Sequence, residues 1–163
     1  MRRHTLSVMV VNHPGVLARV AGLFGRRGYN IDSLAVGKTE DPEISRMTIV
    51  VDAEDESSLE QITKQLYKLI DVIKINDITQ VEMVERELIL IKIAAGSANR
   101  AEVLQIVDIF RGKVVDVGDK AMIVEVTGAQ EKVEALLALL KPFGLKEVVR
   151  TGKVAMVRAA GKG

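Results

Sequence analysis

The strongest constraint in this sequence is an order of elements that occurs twice. Residues 5–11 (TLSVMVV) read as a strand, stopped by the turn formers Asn12, Pro14 and Gly15. Val16, Leu17, Val20, Leu23 and Phe24 then fall at helical spacing, with Arg19, Arg26 and Arg27 off that face and Gly28 as the stop. Residues 30–37 (NIDSLAVG) and 46–52 (RMTIVVD) read as two strands joined by a polar loop containing Asp41-Pro42. Ser57 and Glu60 have the spacing of a capping box for a second helix carrying Leu59, Ile62, Leu66 and Leu69. Residues 72–84 supply a closing strand.

The second half repeats this order. Residues 87–95 read as a strand, Asn99 and Glu102 as a helix start, and VVDV and AMIVEV as a hairpin turning at Gly118-Asp119. A last helix stops at Pro142, and residues 145–158 form a strand bent or broken around Thr151-Gly152. Val133, Leu136 and Leu140 each lie 74 positions after Leu59, Ile62 and Leu66. The repeat is one of architecture, since identity between the halves is slight. The expected fold class is α+β: two tandem ferredoxin-like βαββαβ units, 1–84 and 85–163, each an antiparallel sheet with both helices on one face. The runs VMVV (8–11) and TIVV (48–51) are apolar without alternation, which predicts strands covered on both faces. A second copy is the economical cover; the other unit of the same chain is the alternative.

Composition narrows the function. Hydrophobic residues are 48% and charged residues 28%, as in a folded globular chain. No uncharged apolar stretch approaches the roughly 20 residues that cross a bilayer. Met1-Arg2-Arg3-His4 leads into the first strand without a signal-peptide pattern, which predicts a cytoplasmic protein with no membrane role. The absence of cysteine excludes disulfides, thiolate metal sites and cysteine nucleophiles. Lys and Arg number 23 against 22 Asp and Glu, and aromatic residues are 3%, so neither a basic footprint nor a stacking surface points to nucleic acid.

No catalytic constellation stands out, and no metal site is expected. His4 and His13 are isolated, and His13 reads as a solvated turn residue. Gly22-x-x-Gly25-x-x-Gly28 lies within and at the end of a helix, where close helix packing and a C-cap explain it better than a phosphate loop. The run Asp52, Glu54, Asp55, Glu56 precedes a helix and suits its dipole. One place suits a ligand: Asn12-His13-Pro14-Gly15, where a helix start offers unpaired N–H groups to a carboxylate or phosphate. Asn12 and Asn30 carry amides that both donate and accept, as a zwitterion requires. Asn30 lies far from Gly15 within one subunit, but antiparallel pairing of two copies along its strand would bring them together. A plain turn and a strand-starting Asn account for the same residues, and spacing does not choose.

The stretch NHPGVLARVAGLFGRRGYNIDSLAVGKTEDPEISRMTIVVD (12–52) resembles the N-terminal ACT domain of the small, regulatory subunit of acetolactate synthase. RGYNI-x-SL-x-V (27–36), Asp-Pro (41–42) and SRMTI (45–49) carry the resemblance, which continues through EQITKQLYKLIDV (60–72), ERELILIKI (85–93) and IFRGKVVDV (109–117). It implies a non-catalytic subunit with no cofactor of its own. Its partner would be a catalytic subunit holding thiamine diphosphate, Mg and FAD, which it activates and subjects to feedback by a branched-chain amino acid, usually valine. It implies a homodimer through the ACT domains. Carried over by position, Asn12, Gly15, Val16 and Leu17 hold the effector's carboxylate. Asn30 and Ile31 come from the partner chain, Gly37 lies near the site, and Leu17 and Ile31 receive the apolar side chain. His13-Pro14 departs from the acidic or small residues common in relatives, and Pro14 removes one N–H donor. Thr39, Asp41, Pro42, Ser45, Arg46 and Met47 are the candidate contact with the catalytic subunit. A stand-alone ACT-type amino-acid sensor regulating another protein is the alternative.

Overall fold

The computed structural model describes residues 2–160, so the expected ends of the two units, Met1 and 161–163, lie outside the described residues. The order is β1 (Arg2–Val11), α1 (Val16–Arg26), β2 (Ile31–Lys38), β3 (Ile44–Ala53), α2 (Glu56–Tyr67) and β4 (Val72–Asp77). It repeats as β5 (Met83–Ala94), α3 (Arg100–Ile109), β6 (Lys113–Val117), β7 (Ala121–Gly128), α4 (Gln130–Leu140) and β8 (Leu145–Arg150), and ends in β9 (Val154–Val157). One sheet runs β2-β3-β1-β4 and the other β6-β7-β5-β8, with β9 also pairing β5. Both are antiparallel, and the α+β class with two βαββαβ units stands. Residues 2–84 together with 153–160 form one compact unit, and Glu85–Gly152 the other. From Lys153 the chain returns to the residues just before β5. There the Arg158 N–H donates to the Glu82 carbonyl at 3.1 Å.

Side-chain alternation along each strand decides what is covered. In the first unit Leu6, Val8 and Val10 of β1 and Met47, Ile49 and Val51 of β3 form one core with Val16, Val20, Leu23 and Phe24 of α1 and Leu59, Ile62 and Leu66 of α2. The runs VMVV and TIVV thus divide between two faces. Met9, Val11, Thr48 and Val50 alternate with the core residues and point away from it. Thr5, Ser7, Thr48 and Val50 on that second face are buried within the single chain. In the second unit Ile89, Ile91 and Ile93 of β5 and Met122, Val124 and Val126 of β7 pack with Val103, Val107, Val133, Leu136 and Leu140. Each such side chain contributes roughly 1.5–3 kcal/mol on burial. At the margin of this core, buried Glu87 pairs with Arg150, which also reaches Glu134 of α4 at 3.3 Å. The hydrogen bond to Glu87 raises the Arg150 pKa above its ordinary value.

Several local expectations change. Residues 72–84 are not one strand: the Asp77 carboxylate accepts the Thr79 N–H at 3.0 Å, and Thr79 Oγ1 accepts the Thr5 N–H at 2.9 Å. That turn ends β4 and separates it from β5. Ser57 does not cap α2. Asp55 stands two residues earlier in extended conformation, and its carboxylate accepts the Ser58 N–H at 2.7 Å. Asn99 occupies the N-cap position of α3 without a side-chain capping bond, and the Gly96 carbonyl accepts from the N–H groups of both Asn99 and Arg100. Gly22 and Gly25 do not serve close packing: a Cβ at Gly25 would meet nothing within 4 Å, and one at Gly22 only the Arg26 guanidinium at 3.8 Å. His4 is buried in β1, and neither ring nitrogen has a partner among the described residues.

Two glycines make opposite predictions. A Cβ at Gly112 would lie 2.8 Å from Val126 Cγ2 and 2.9 Å from Val107 Cγ1 in the second core. Gly112→Ala therefore destabilises by about 1–3 kcal/mol in chemical denaturation. Gly25→Ala, in an exposed helical position, stabilises by about 0.5–1 kcal/mol. Asp55 predicts a pH dependence. Hydrogen bonds from the Ser58 side chain and backbone hold its pKa below the unfolded value of 3.8. Its stabilisation is present above 3.8 and is lost as pH falls through the lower folded value. Asp55→Ala should lower Tm at neutral pH, with the difference from the parent chain vanishing under acid.

Candidate functional site: the turn between β1 and α1

The end of β1 is fixed from two sides. Val11 pairs with Ile44 of β3, and its N–H donates to the Asp71 carbonyl at 2.8 Å. The next residue, Asn12, donates its N–H to the Glu43 carbonyl at 2.7 Å and its side-chain amide to the Pro42 carbonyl at 3.0 Å. The chain then turns within three residues, with the His13 N–H returning to the Val11 carbonyl at 2.9 Å. Gly15 closes the turn at φ 84°, ψ −9° as the N-cap of α1. This left-handed conformation favours glycine, and glycine leaves the helix start without a side-chain cap.

The electrostatics follow from that start. The first N–H groups of a helix have no partner inside it, and its N-terminus carries about half a positive charge. The first turn of α1 contains no acidic side chain to answer it. A cation is there instead: Arg19 Nη1 lies 3.1 Å from where a Cβ on Gly15 would sit. Arg19 is held by Asp71, with Nη2 at 2.6 Å and Nε at 2.8 Å from the same carboxylate oxygen. An arginine in the first turn opposes the helix dipole, and Asp71 offsets that disadvantage. The turn therefore presents N–H donors, a guanidinium and an exposed amide to solvent, which suits a small anion or zwitterion. Sequence reasoning missed Arg19 and Asp71. The four-residue spacing of Arg19 from Gly15 was a visible signal, but Asp71 comes from a distant loop.

The structure brings together part of the expected effector set. Asn12, Gly15, Val16 and Leu17 form one turn, with Val16 buried as the anchor of α1 and Leu17 44% exposed beside it. Gly37 pairs with Arg46, which pairs with Met9, so it lies toward the same end of the sheet with open space at its Cβ position. Asn30 and Ile31 lie at the other end: the Asn30 carbonyl accepts the Asp52 N–H at 3.2 Å, and Ile31 pairs with Val51. At about 3.3 Å per residue the length of β2 separates them from Gly37 by some 20 Å. One chain does not complete the set.

Of the residues expected to meet the catalytic subunit, Asp41 and Pro42 are exposed and Thr39 and Arg46 are half-buried. Met47 and Ser45 are corrections: at 1% and 6% exposure they offer a partner no surface. Alternation along β3 turns Met47 into the first core. The 39–44 loop is internally tied. Thr39 Oγ1 donates to the Asp41 carbonyl at 2.9 Å and accepts the Asp41 N–H, and the Asp41 carboxylate accepts the Glu43 N–H at 3.0 Å.

Residues 6–74 match the AHAS small subunit-like ACT domain, and residues 86–159 match the small subunit of acetolactate synthase. The acetolactate synthase small subunit of Mycolicibacterium smegmatis is 55% identical, over 95% of this chain and 91% of its own. That of Mycobacterium leprae is 54% identical over the same shares. This chain belongs to the acetolactate synthase small-subunit family. The crystal structure of the small subunit from Thermotoga maritima matches with a TM-score of 0.87 and 46% identity, covering 97% of this chain and 98% of that one. The first unit is thus an ACT domain. Among the described residues no helix is long and apolar enough to cross a membrane, and no group of three His, Asp or Glu side chains is placed to hold a metal ion.

The turn makes its own prediction. Gly15→Ala places a side chain at a positive φ and against Arg19, and destabilises by about 1–2 kcal/mol. Gly37→Ala, which meets nothing within 4 Å in β2, does not destabilise and raises the denaturation midpoint slightly, by up to about 0.5–1 kcal/mol of stability.

Proposed function

We infer that this chain is a non-catalytic regulatory subunit that activates the catalytic subunit of acetolactate synthase and carries feedback inhibition by a branched-chain amino acid, with valine first. The carrying observation is the β1–α1 turn of a small-subunit ACT domain: a glycine-capped helix start with no acidic residue in its first turn, flanked by Asn12 and Arg19. The effector's carboxylate lies against the first N–H groups of α1, its ammonium against the Asn12 amide oxygen, and its apolar side chain against Leu17. Asn30 and Ile31 of a second copy complete the site, because their own chain holds them at the far end of β2. Thiamine diphosphate, Mg and FAD belong to the catalytic subunit, and both proteins work in the cytoplasm. Regulation is then a coupling of two sites, typically 1–3 kcal/mol, in which valine favours one arrangement and the catalytic subunit reads it.

Gly15→Asp tests the site. Aspartate tolerates a positive φ better than most residues, and its carboxylate would fall beside Arg19, where the effector's carboxylate goes. Activation of the catalytic subunit should survive while valine inhibition and the valine-induced thermal shift are lost; inhibition that persists unchanged refutes the assignment. Complementation tests the shared site. Mixing Gly15→Asp with Asn30→Ala chains gives mixed dimers with one site carrying both lesions and one intact. Valine binding by calorimetry should return on mixing, although neither parent binds. No recovery from two non-binding parents would place both residues in one chain's site, and binding by either parent would place its residue outside the site.

A further inference from the structure

We propose that Asn12 is the relay by which an occupied effector site acts on the 39–44 loop, so that this loop, and not α1, is the output surface of the ACT domain. The proposal rests on the effector reading of the β1–α1 turn. Asn12 bridges that turn and the loop between β2 and β3, through its N–H to Glu43 and its side-chain amide to Pro42. The side chain makes no other hydrogen bond among the described residues, so its amide oxygen is available to a ligand. A ligand on that oxygen fixes the amide plane and holds the bond to Pro42 closed for more of the time.

The loop is built to respond as a unit. Thr39 and Asp41 cross-link it internally, the Thr39 N–H donates to the Ile44 carbonyl at 2.9 Å, and the Ile44 N–H to the Asp41 carbonyl at 3.0 Å. Pinning Pro42 and Glu43 therefore pins Asp41 and Thr39, which lead into the exposed tip.

The second unit supplies an internal contrast. Its corresponding helix start is also tied to its hairpin turn, but through Arg100, whose Nη2 donates to the carbonyls of Ala95, Gly118 and Asp119 at 3.1, 2.7 and 3.3 Å. A charged donor shared among three carbonyls is a fixed strut, whereas one neutral amide bond on an exposed residue is adjustable. The strand-to-helix connection thus carries a permanent tie in one unit, from the first helical residue, and a breakable one in the other, from the residue that follows the strand.

Hydrogen exchange on the full chain tests this in two arms. In the ligand-free protein, Asn12→Ala removes the bond to Pro42 and keeps the main-chain bond to Glu43. The amides of Asp41, Glu43 and Ile44 should then exchange about two- to tenfold faster, as expected for one neutral hydrogen bond, while Gly118 of the second unit is unchanged. Unchanged exchange across 39–44 overturns the clamp. In wild type, with binding measured separately by calorimetry, valine should slow the same three amides and leave Gly118 alone. Valine that binds and protects the first turn of α1, yet leaves exchange at 41–44 unchanged or faster, overturns the relay and leaves the effector site standing. Absence of binding by valine, leucine and isoleucine overturns the effector reading, and the relay with it.

Discussion

Everything at the candidate site depends on the register of β1 between its two neighbours. β1 pairs with β3 without interruption from Arg2↔Ala53 to Val11↔Ile44, and with β4 on its other edge. That ladder delivers Asn12 beside Pro42 and Glu43, because the residue after Val11 must lie next to those before Ile44. A one-residue slip would turn Leu6, Val8 and Val10 out of the core, so the register is held by the burial of those side chains. The placement of one exposed amide is thus underwritten by the most buried residues of the unit.

The two units show how one architecture is used in two ways. Each places a helix start after its first strand and a hairpin turn nearby. In the first, the start is capped by Gly15 and flanked by an arginine held in an ion pair with Asp71. In the second, Arg100 occupies the carbonyls around the start. Asn99 Oδ1 is buried there without a partner among the described residues, and the Gly96 carbonyl accepts from the N–H groups of Asn99 and Arg100. The first turn is open to an anion, and the second is filled by its own cation.

Much of this was legible in the residues. Helical spacing of Val16, Val20, Leu23 and Phe24, and of Leu59, Ile62 and Leu66, marked the helices because a buried stripe must recur at the helical period. The turn at Asn12–Gly15 was legible because its residues favour turns. What failed was local competition. Asp55 outcompeted Ser57 as a cap by standing where the chain was already extended. The Asp77–Thr79 turn broke a strand that hydrophobicity alone would continue. Met47 and Ser45 looked like surface residues only because an exposed loop precedes them; their burial is set by the pleat of β3.

The sequence by itself determined the elements, their twofold order, the family, and the residue types of the β1–α1 turn, since periodicity, turn chemistry and motif all act over a few neighbouring positions. Only the tertiary structure decided which of those residues meet. Asp71 reaches Arg19 across 52 positions, and the Pro42 carbonyl receives the Asn12 amide across 30. Asn30 and Ile31, expected at the site only from a second copy, lie at the far end of β2 within their own chain. The physical reason is the antiparallel ladder, which joins residues distant in sequence and holds the two ends of one short strand apart by its extended length.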